Sequence, residues 1–186
     1  MPLIERRAFC LAAAAMLAGG SAWAAEIWPL FRRGDVLALM RHATAPGTGD
    51  PDGFQLRDCS TQRNLSDEGR AQARRIGALF RQNGVNTASV YSSQWCRCLD
   101  TARGLGLGEV AEQPLLNSFF GEPGQSEARS AQTLAWIRSL KPAAPVVLVT
   151  HQVNITGLTG VFPASGEIIF VSLDKGAVTV LGRLET

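Results

Sequence analysis

Histidine is scarce: the chain of 186 residues holds only two, His42 and His151. Net charge is scarce as well. A formal balance of +2 gives no electrostatic case for nucleic-acid binding, so positive groups matter only where they cluster. The one signal-like apolar stretch, residues 8–17, is too short to span a bilayer, which takes about 20 residues, so no stable membrane anchor is expected. Ser92 and Ser93 lack a G-x-S-x-G elbow, which argues against a serine hydrolase. The C-x-C of Cys96 and Cys98 has neither the spacing nor the second pair of a zinc site. With no internal repeat and no interdomain linker, the chain reads as one domain.

What is present is the composition of a folded globular protein, 46% hydrophobic and 18% charged. The first residues stand apart. Arg6 and Arg7 precede the apolar stretch, and Ala22-Trp23-Ala24 fits an A-x-A cleavage site. This predicts a cleaved signal peptide over residues 1–24 and a mature domain over 25–186, periplasmic or secreted. The twin arginine before Phe9 resembles a twin-arginine signal, and a general secretory signal fits as well. Export permits disulfides. Cys59, Cys96 and Cys98 remain after cleavage. One bridge is expected, from Cys59 to either Cys96 or Cys98, because a Cys96–Cys98 bond would be strained.

Residues 35–40 read as a short, fully buried strand ending on Arg41-His42. Residues 44–64 are rich in Gly, Pro, Asp and Thr and read as a long functional loop. A helix follows, with Ser66 as its N-cap, Asp67 and Glu68 in its first turn and Gly84 at its end. Ala73, Ile76, Leu79 and Phe80 share one face. Further strands are expected at 88–93, near 109–111 and at 144–150. Helices are expected at 94–105, 126–140 and 154–161, and a hairpin over 166–184 closes the chain. Strands alternating with helices predict a three-layer α/β/α sandwich with a mainly parallel central sheet.

In such sheets ligands bind where loops leave the carboxyl ends of the strands. Arg41-His42 and His151 lie at two such ends, and Arg97 lies just past a third. If those strands are neighbours, two arginines and two histidines converge on a cationic pocket for a ligand with several anionic oxygens. A metal would sit beside two guanidinium groups with no flanking carboxylate, so no metal and no cofactor is expected.

These residues carry a resemblance. "LMRHATA" resembles the signature of the histidine phosphatase superfamily (phosphoglycerate mutase-like), with Ala43 where the family has Gly. "NLSDEGRAQA", "YSSQWCRCLDTA" and "LVTHQVNI" resemble its following helix, second arginine motif and second histidine motif, in the family's order. The resemblance implies that His42 is a nucleophile forming a phosphohistidine, with Arg41, Arg97 and a protonated His151 holding the phosphate. Many relatives carry a glutamate acid four residues before a loop glycine; counting back from Gly121 gives Asn117. Glu122 and Asp52 are the carboxyls nearest to hand. Either another acid serves, or the leaving group needs little help, as in phosphohistidine or an acyl phosphate.

The reading is therefore an exported, metal-independent phosphomonoesterase acting on a small phosphorylated substrate. Its size and export resemble the small branch that includes lipopolysaccharide core heptose phosphatases, which points to a cell-envelope sugar phosphate. The alternative is a catalytically silent anion-binding module of the same fold. Substrate recognition is expected from residues 44–64 and 113–125, with Phe54, Phe119 and Phe120 at the mouth. The oligomeric state is not readable.

Overall fold

The computed structural model describes residues 19–140, 145–173 and 178–186. The basic start and apolar stretch of the expected signal peptide lie outside the described residues. Helix α1 (Gly19–Arg33) spans the expected cleavage position after Ala24. Beyond it, Ile27, Trp28 and Phe31 are buried. Trp28 packs edge-on against Phe80 at 5.4 Å and Phe170 at 5.3 Å. The sequence reading assigns no element to residues 25–34, so this aromatic cap is an addition.

Strand β1 (Leu37–Arg41) leads into the long loop, whose only regular piece is a single 3-10 turn at Cys59–Thr61. Helix α2 (Asp67–Gln82) begins as its capping residues dictate: Ser66 Oγ accepts from the Gly69 amide at 3.0 Å. Gly84, at φ 77°, takes the left-handed turn beyond its end. Then follow β2 (Ser89–Ser92), α3 (Cys96–Leu105), β3 (Val110–Glu112), α4 (Ser126–Ser139), β4 (Val146–Thr150), α5 (Gln152–Thr159), β5 (Ile168–Ser172) and β6 (Thr179–Leu184).

The six strands form one sheet in the order β3-β2-β4-β1-β5-β6. Pairs β2–β3, β2–β4 and β1–β4 are parallel; β1–β5 and β5–β6 are antiparallel. The central strands are apolar on both faces because both are covered. Ala38, Met40, Val147, Val149, Ile168 and Phe170 face a core shared with α1, α2 and α3. The alternate residues Leu37, Leu39, Val146, Leu148, Ile169 and Val171 face Ile137 of α4 and Ile155 of α5. That period of two in a continuous apolar run makes the three-layer sandwich.

Helix α2 lies close against the chain that follows β1. A Cβ at Gly69 would meet the Thr44 carbonyl oxygen at 2.0 Å, so only glycine permits the contact. Ala43, placed where the resembling family has glycine, fits without strain on its neighbours: it is buried in a small cluster with Ala45, Leu65 and Ala73.

The long loop is fastened at its far end. Cys59 is bonded to Cys96, at the start of α3, and Cys98 is left as a buried free thiol. Of the two pairings open to Cys59, the helix decides: Cys96 and Cys98 lie about 200° apart around it, so only one faces the loop.

Candidate active site

The strand order brings β2, β4 and β1 side by side, with Arg41 in register with Thr150 and Ser92 with Val149. Their carboxyl ends therefore open at one level. His42 continues β1, its amide donating to the Thr150 carbonyl at 3.0 Å and its own carbonyl accepting from the Gly166 amide at 3.1 Å. His151 continues β4. The two imidazoles lie 5.6 Å apart at 71°. Together with Arg41 and Arg97 they line a cleft of about 600 Å³. All four expected residues thus meet in one pocket.

His42 is pinned through one nitrogen. Its Nδ1 lies 2.8 Å from the Ala43 carbonyl, an acceptor only, so Nδ1 carries the proton and Nε2 keeps the lone pair. Burial lowers its pKa to about 3; the Ala43 bond opposes this, and the charges of Arg97, Arg41 and Arg63 add to it. His42 is a neutral base with a free nitrogen across the physiological range.

His151 is pinned through the other nitrogen. Its Nε2 meets Ser93 Oγ at 2.8 Å, and Ser93 passes its own proton to Asn117 Oδ1 at 3.2 Å. Nε2 is thus the donor, and Nδ1 the acceptor facing Arg97 Nη2 at 3.5 Å. Burial, then His42, then the guanidinium groups of Arg97, Arg63 and Arg41 hold it well below its usual range. Without a bound anion, its protein surroundings keep His151 neutral. A phosphate dianion would supply the countercharge that lets Nδ1 take a proton and donate.

The arginines are fixed rather than loose. Arg41 Nη1 donates to the Pro163 carbonyl at 2.9 Å. Arg97, 3% exposed, forms a two-pronged ion pair with Asp50 at 2.7 and 3.1 Å. Arg41 Nε and Arg97 Nε are buried with no hydrogen-bond partner, and unsatisfied donors of that kind suit the oxygens of an anion. A third guanidinium, Arg63, also lines the cleft, its Nε donating to the Gly49 carbonyl at 2.7 Å and its Nη1 to Ala45. Asp50 corrects one expectation, because a carboxylate does stand beside the arginines. Among the described residues no group of three or more His, Cys, Asp or Glu is placed to hold a metal ion.

Asn117 is fully engaged as scaffold: Oδ1 accepts from the Gln94 amide at 2.9 Å, and Nδ2 donates to Gln94 Oε1 at 3.0 Å. Glu122 lies at the mouth, exposed. Asp52 is exposed and outside the lining. Asp50 is pulled up by burial but held below the usual carboxylate range by Arg97, the Arg63 amide and the Trp95 indole. Asp50 is therefore held ionised, which does not suit a general acid.

Of the mouth residues expected from sequence, Phe54 and Phe120 line the cleft, while Phe119 turns inward and is buried. Phe162, 69% exposed, joins them from beyond α5. Asp50, Arg63, Ser93, Trp95 and Phe162 were not singled out for these positions. The composition of residues 44–64 pointed to the region of Asp50 and Arg63, but nothing local separates Asp50 from Asp52.

Comparison with known proteins agrees with this geometry. Residues 37–122 match the sequence profile of the histidine phosphatase superfamily (branch 1). No curated protein sequence is significantly similar to the chain. Among solved structures, the protein histidine phosphatase SixA complexed with tungstate superposes with a TM-score of 0.57 at 19% identity, over 81% of this chain and 96% of that one. Phosphoserine phosphatase from Entamoeba histolytica, in complex with phosphoserine, gives 0.58 at 17% identity, over 80% and 95%. A mycobacterial glucosyl-3-phosphoglycerate phosphatase gives 0.56 at 17%, over 78% and 96%. At such identities the likeness establishes the fold. Residues 37–122, spanning β1, α2, β2, α3 and β3, thus carry the histidine phosphatase superfamily profile, on a fold that the solved structures share.

Proposed function

We propose that the chain is a metal-independent phosphomonoesterase that works through a phosphohistidine on His42. The observation that carries this reading is the pinning of His42 Nδ1 on the Ala43 carbonyl, which leaves Nε2 as a neutral nucleophile. Nε2 attacks phosphorus in line, and the bond from phosphorus to the leaving oxygen breaks, its electron pair departing with that oxygen. Arg41, Arg63 and Arg97 spread positive charge over the other phosphoryl oxygens, and His151 donates from Nδ1 once the dianion has raised its basicity. In the second step water attacks phosphorus, gives its proton to solvent, and the N–P bond breaks to return the lone pair to Nε2 and release phosphate. Two steps replace one difficult displacement.

A small phosphorylated substrate fits the cleft, and the structural neighbours include proteins described with phosphoserine and glucosyl-3-phosphoglycerate. The flat apolar faces of Phe54, Phe120 and Phe162 suit a ring-shaped leaving group, which supports a cell-envelope sugar phosphate. With Asn117 standing where many relatives carry the acid, leaving groups of low basicity react fastest, as in the phosphohistidine substrate class named for SixA. Export is part of the proposal: it rests on Arg6-Arg7, the A-x-A site at residues 22–24 and the Cys59–Cys96 bond, which persists in oxidising compartments.

The silent-module alternative drew on Ala43 and on the lack of an acid at Asn117. Ala43 is accommodated, so only the acid remains in its favour. Hydrolysis of p-nitrophenyl phosphate in the presence of a chelator, beside a His42→Ala variant, separates the two. Chelator-resistant turnover that disappears in the variant is expected. A folded wild-type chain inert toward this leaving group would leave the binding module standing.

A further inference from the structure

The resemblance to the family places no role on Asp50, yet it makes more polar contacts in the cleft than any histidine there. Its side chain is 9% exposed. Oδ1 accepts from Arg97 Nη1 at 2.7 Å and from the Arg63 amide at 3.1 Å; Oδ2 accepts from Arg97 Nη2 at 3.1 Å and from the Trp95 indole at 3.0 Å. The remaining N–H groups of Arg97 Nη1 and Nη2 point to the Arg63 carbonyl at 3.3 Å and to His151 Nδ1 at 3.5 Å. A guanidinium can meet an oxyanion with its Nη1/Nη2 end or with its Nε side. Asp50 takes the end, and Arg97 Nε is the donor left buried without a partner.

The carboxylate is built in and does not simply hold the place of a substrate. Its loop is bonded to α3 by Cys59–Cys96. Gln62 ties the loop together, donating to the Gln55 and Leu56 carbonyls at 3.0 and 2.8 Å while accepting from the Cys96 amide at 3.0 Å. Moving Asp50 away would break its bonds to Arg97, the Arg63 amide and the Trp95 indole. Its second effect is on charge: among three guanidinium groups (Arg41, Arg63, Arg97) that face the cleft, it is the buried carboxylate, with Glu122 exposed at the mouth. An all-cationic cleft would hold product phosphate as firmly as substrate, and uniform binding does not speed turnover.

We infer that Asp50 is a positioning residue of the phosphate pocket, fixing Arg97 with its Nε edge toward the phosphoryl group and moderating the cleft's positive charge so that phosphate can leave. This rests on the phosphomonoesterase reading. The test uses the full chain, p-nitrophenyl phosphate for turnover and inorganic phosphate for binding by calorimetry and inhibition. Asp50→Asn keeps the size and removes the charge: kcat is expected to fall about tenfold or more while phosphate binds about tenfold tighter and KM falls. Asp50→Glu keeps the charge and displaces the head group: kcat is expected to fall while phosphate affinity stays within about threefold of wild type. A merely structural residue would lower activity through the folded fraction alone and leave phosphate affinity per folded molecule unchanged; that result, or an Asn variant matching wild type in kcat and phosphate affinity, overturns the inference. Should Asp50→Asn not fold, Trp95→Phe removes one bond to Oδ2 and keeps an aromatic, smaller side chain in its place. It should shift kcat downward by about threefold, and no shift counts against Asp50. Wild-type turnover with an indifferent Asn variant sinks this inference alone. A wild type without turnover, whose Asn variant still binds phosphate more tightly, sinks the phosphomonoesterase reading and keeps Asp50 in the anion site.

Discussion

The ends of β1 and β4 are built alike and behave differently. Each apolar strand runs into a histidine, and the two rings stand 5.6 Å apart in the same field of guanidinium groups. At β1 a backbone carbonyl, Ala43, pins Nδ1 and releases Nε2. At β4 a side chain, Ser93, pins Nε2 and turns Nδ1 toward Arg97. The tautomer follows from the partner, and the role follows from the tautomer. A carbonyl has no proton and only accepts, so the proton stays on His42 Nδ1 and Nε2 is locked as the nucleophile. Ser93 holds the proton on His151 Nε2, so the proton His151 gains as charge arrives goes to Nδ1.

The sharpest way to break that contrast is to remove each ring. His42→Ala should abolish p-nitrophenyl phosphate turnover, by at least about a thousandfold, and should leave no acid-labile phosphate on the protein after quenching. His151→Ala should cost less, about a hundredfold in kcat, because it removes transition-state stabilisation and not the bond-forming atom. Equal losses in the two variants would mean that the rings are not divided into nucleophile and donor.

Protonation tests what the rings share. Both folded-state pKa values lie below the unfolded value of about 6.5, His42 at about 3. Below pH 6.5 the unfolded chain therefore binds more protons than the folded one. Stability is intact above that pH and is lost as pH falls toward 3, by about 2 kcal/mol for His42 between pH 6.5 and 5, and His151 acts in the same direction. Thermal melts at pH 7.5 and 5 should show a lower Tm at pH 5, with a shallower fall in His42→Ala. An unchanged Tm would mean that neither ring is held neutral.

The smallest expected effect concerns the difference between the two pins. Ser93→Ala removes the hydroxyl from His151 Nε2 and leaves it only the Cys98 thiol at 3.5 Å, and kcat should fall about tenfold with KM little changed. Steady-state kinetics on the same substrate reads this. A variant equal to wild type would show that Ser93 does not set the His151 tautomer.

Much of this was readable before any fold was known. The start of α2 was readable because Ser66, Asp67 and Glu68 act within one turn of the residues they cap. The strands were readable as continuous apolar runs, since a central strand is covered on both faces. Arg41, His42, Arg97 and His151 were readable as strand-end residues. Helix α1 was not, because its Trp28 and Phe31 gain their meaning only against Phe80 and Phe170, far along the chain. Asp50 was not, because Asp50 and Asp52 share one loop and only the approach of α3 selects the first.

The sequence by itself determined the alternation of strands and helices, the placing of both histidines at strand ends and the supply of arginine around them. Those are local properties: periodicity, caps and the order of apolar runs act within a few residues. Only the tertiary structure decided that β2, β4 and β1 are neighbours, that Cys59 reaches Cys96, that Asp50 grips Arg97 and which nitrogen of each imidazole is free. Each of these is a contact between residues distant in sequence or a choice among hydrogen-bond partners, and such choices are made when elements pack.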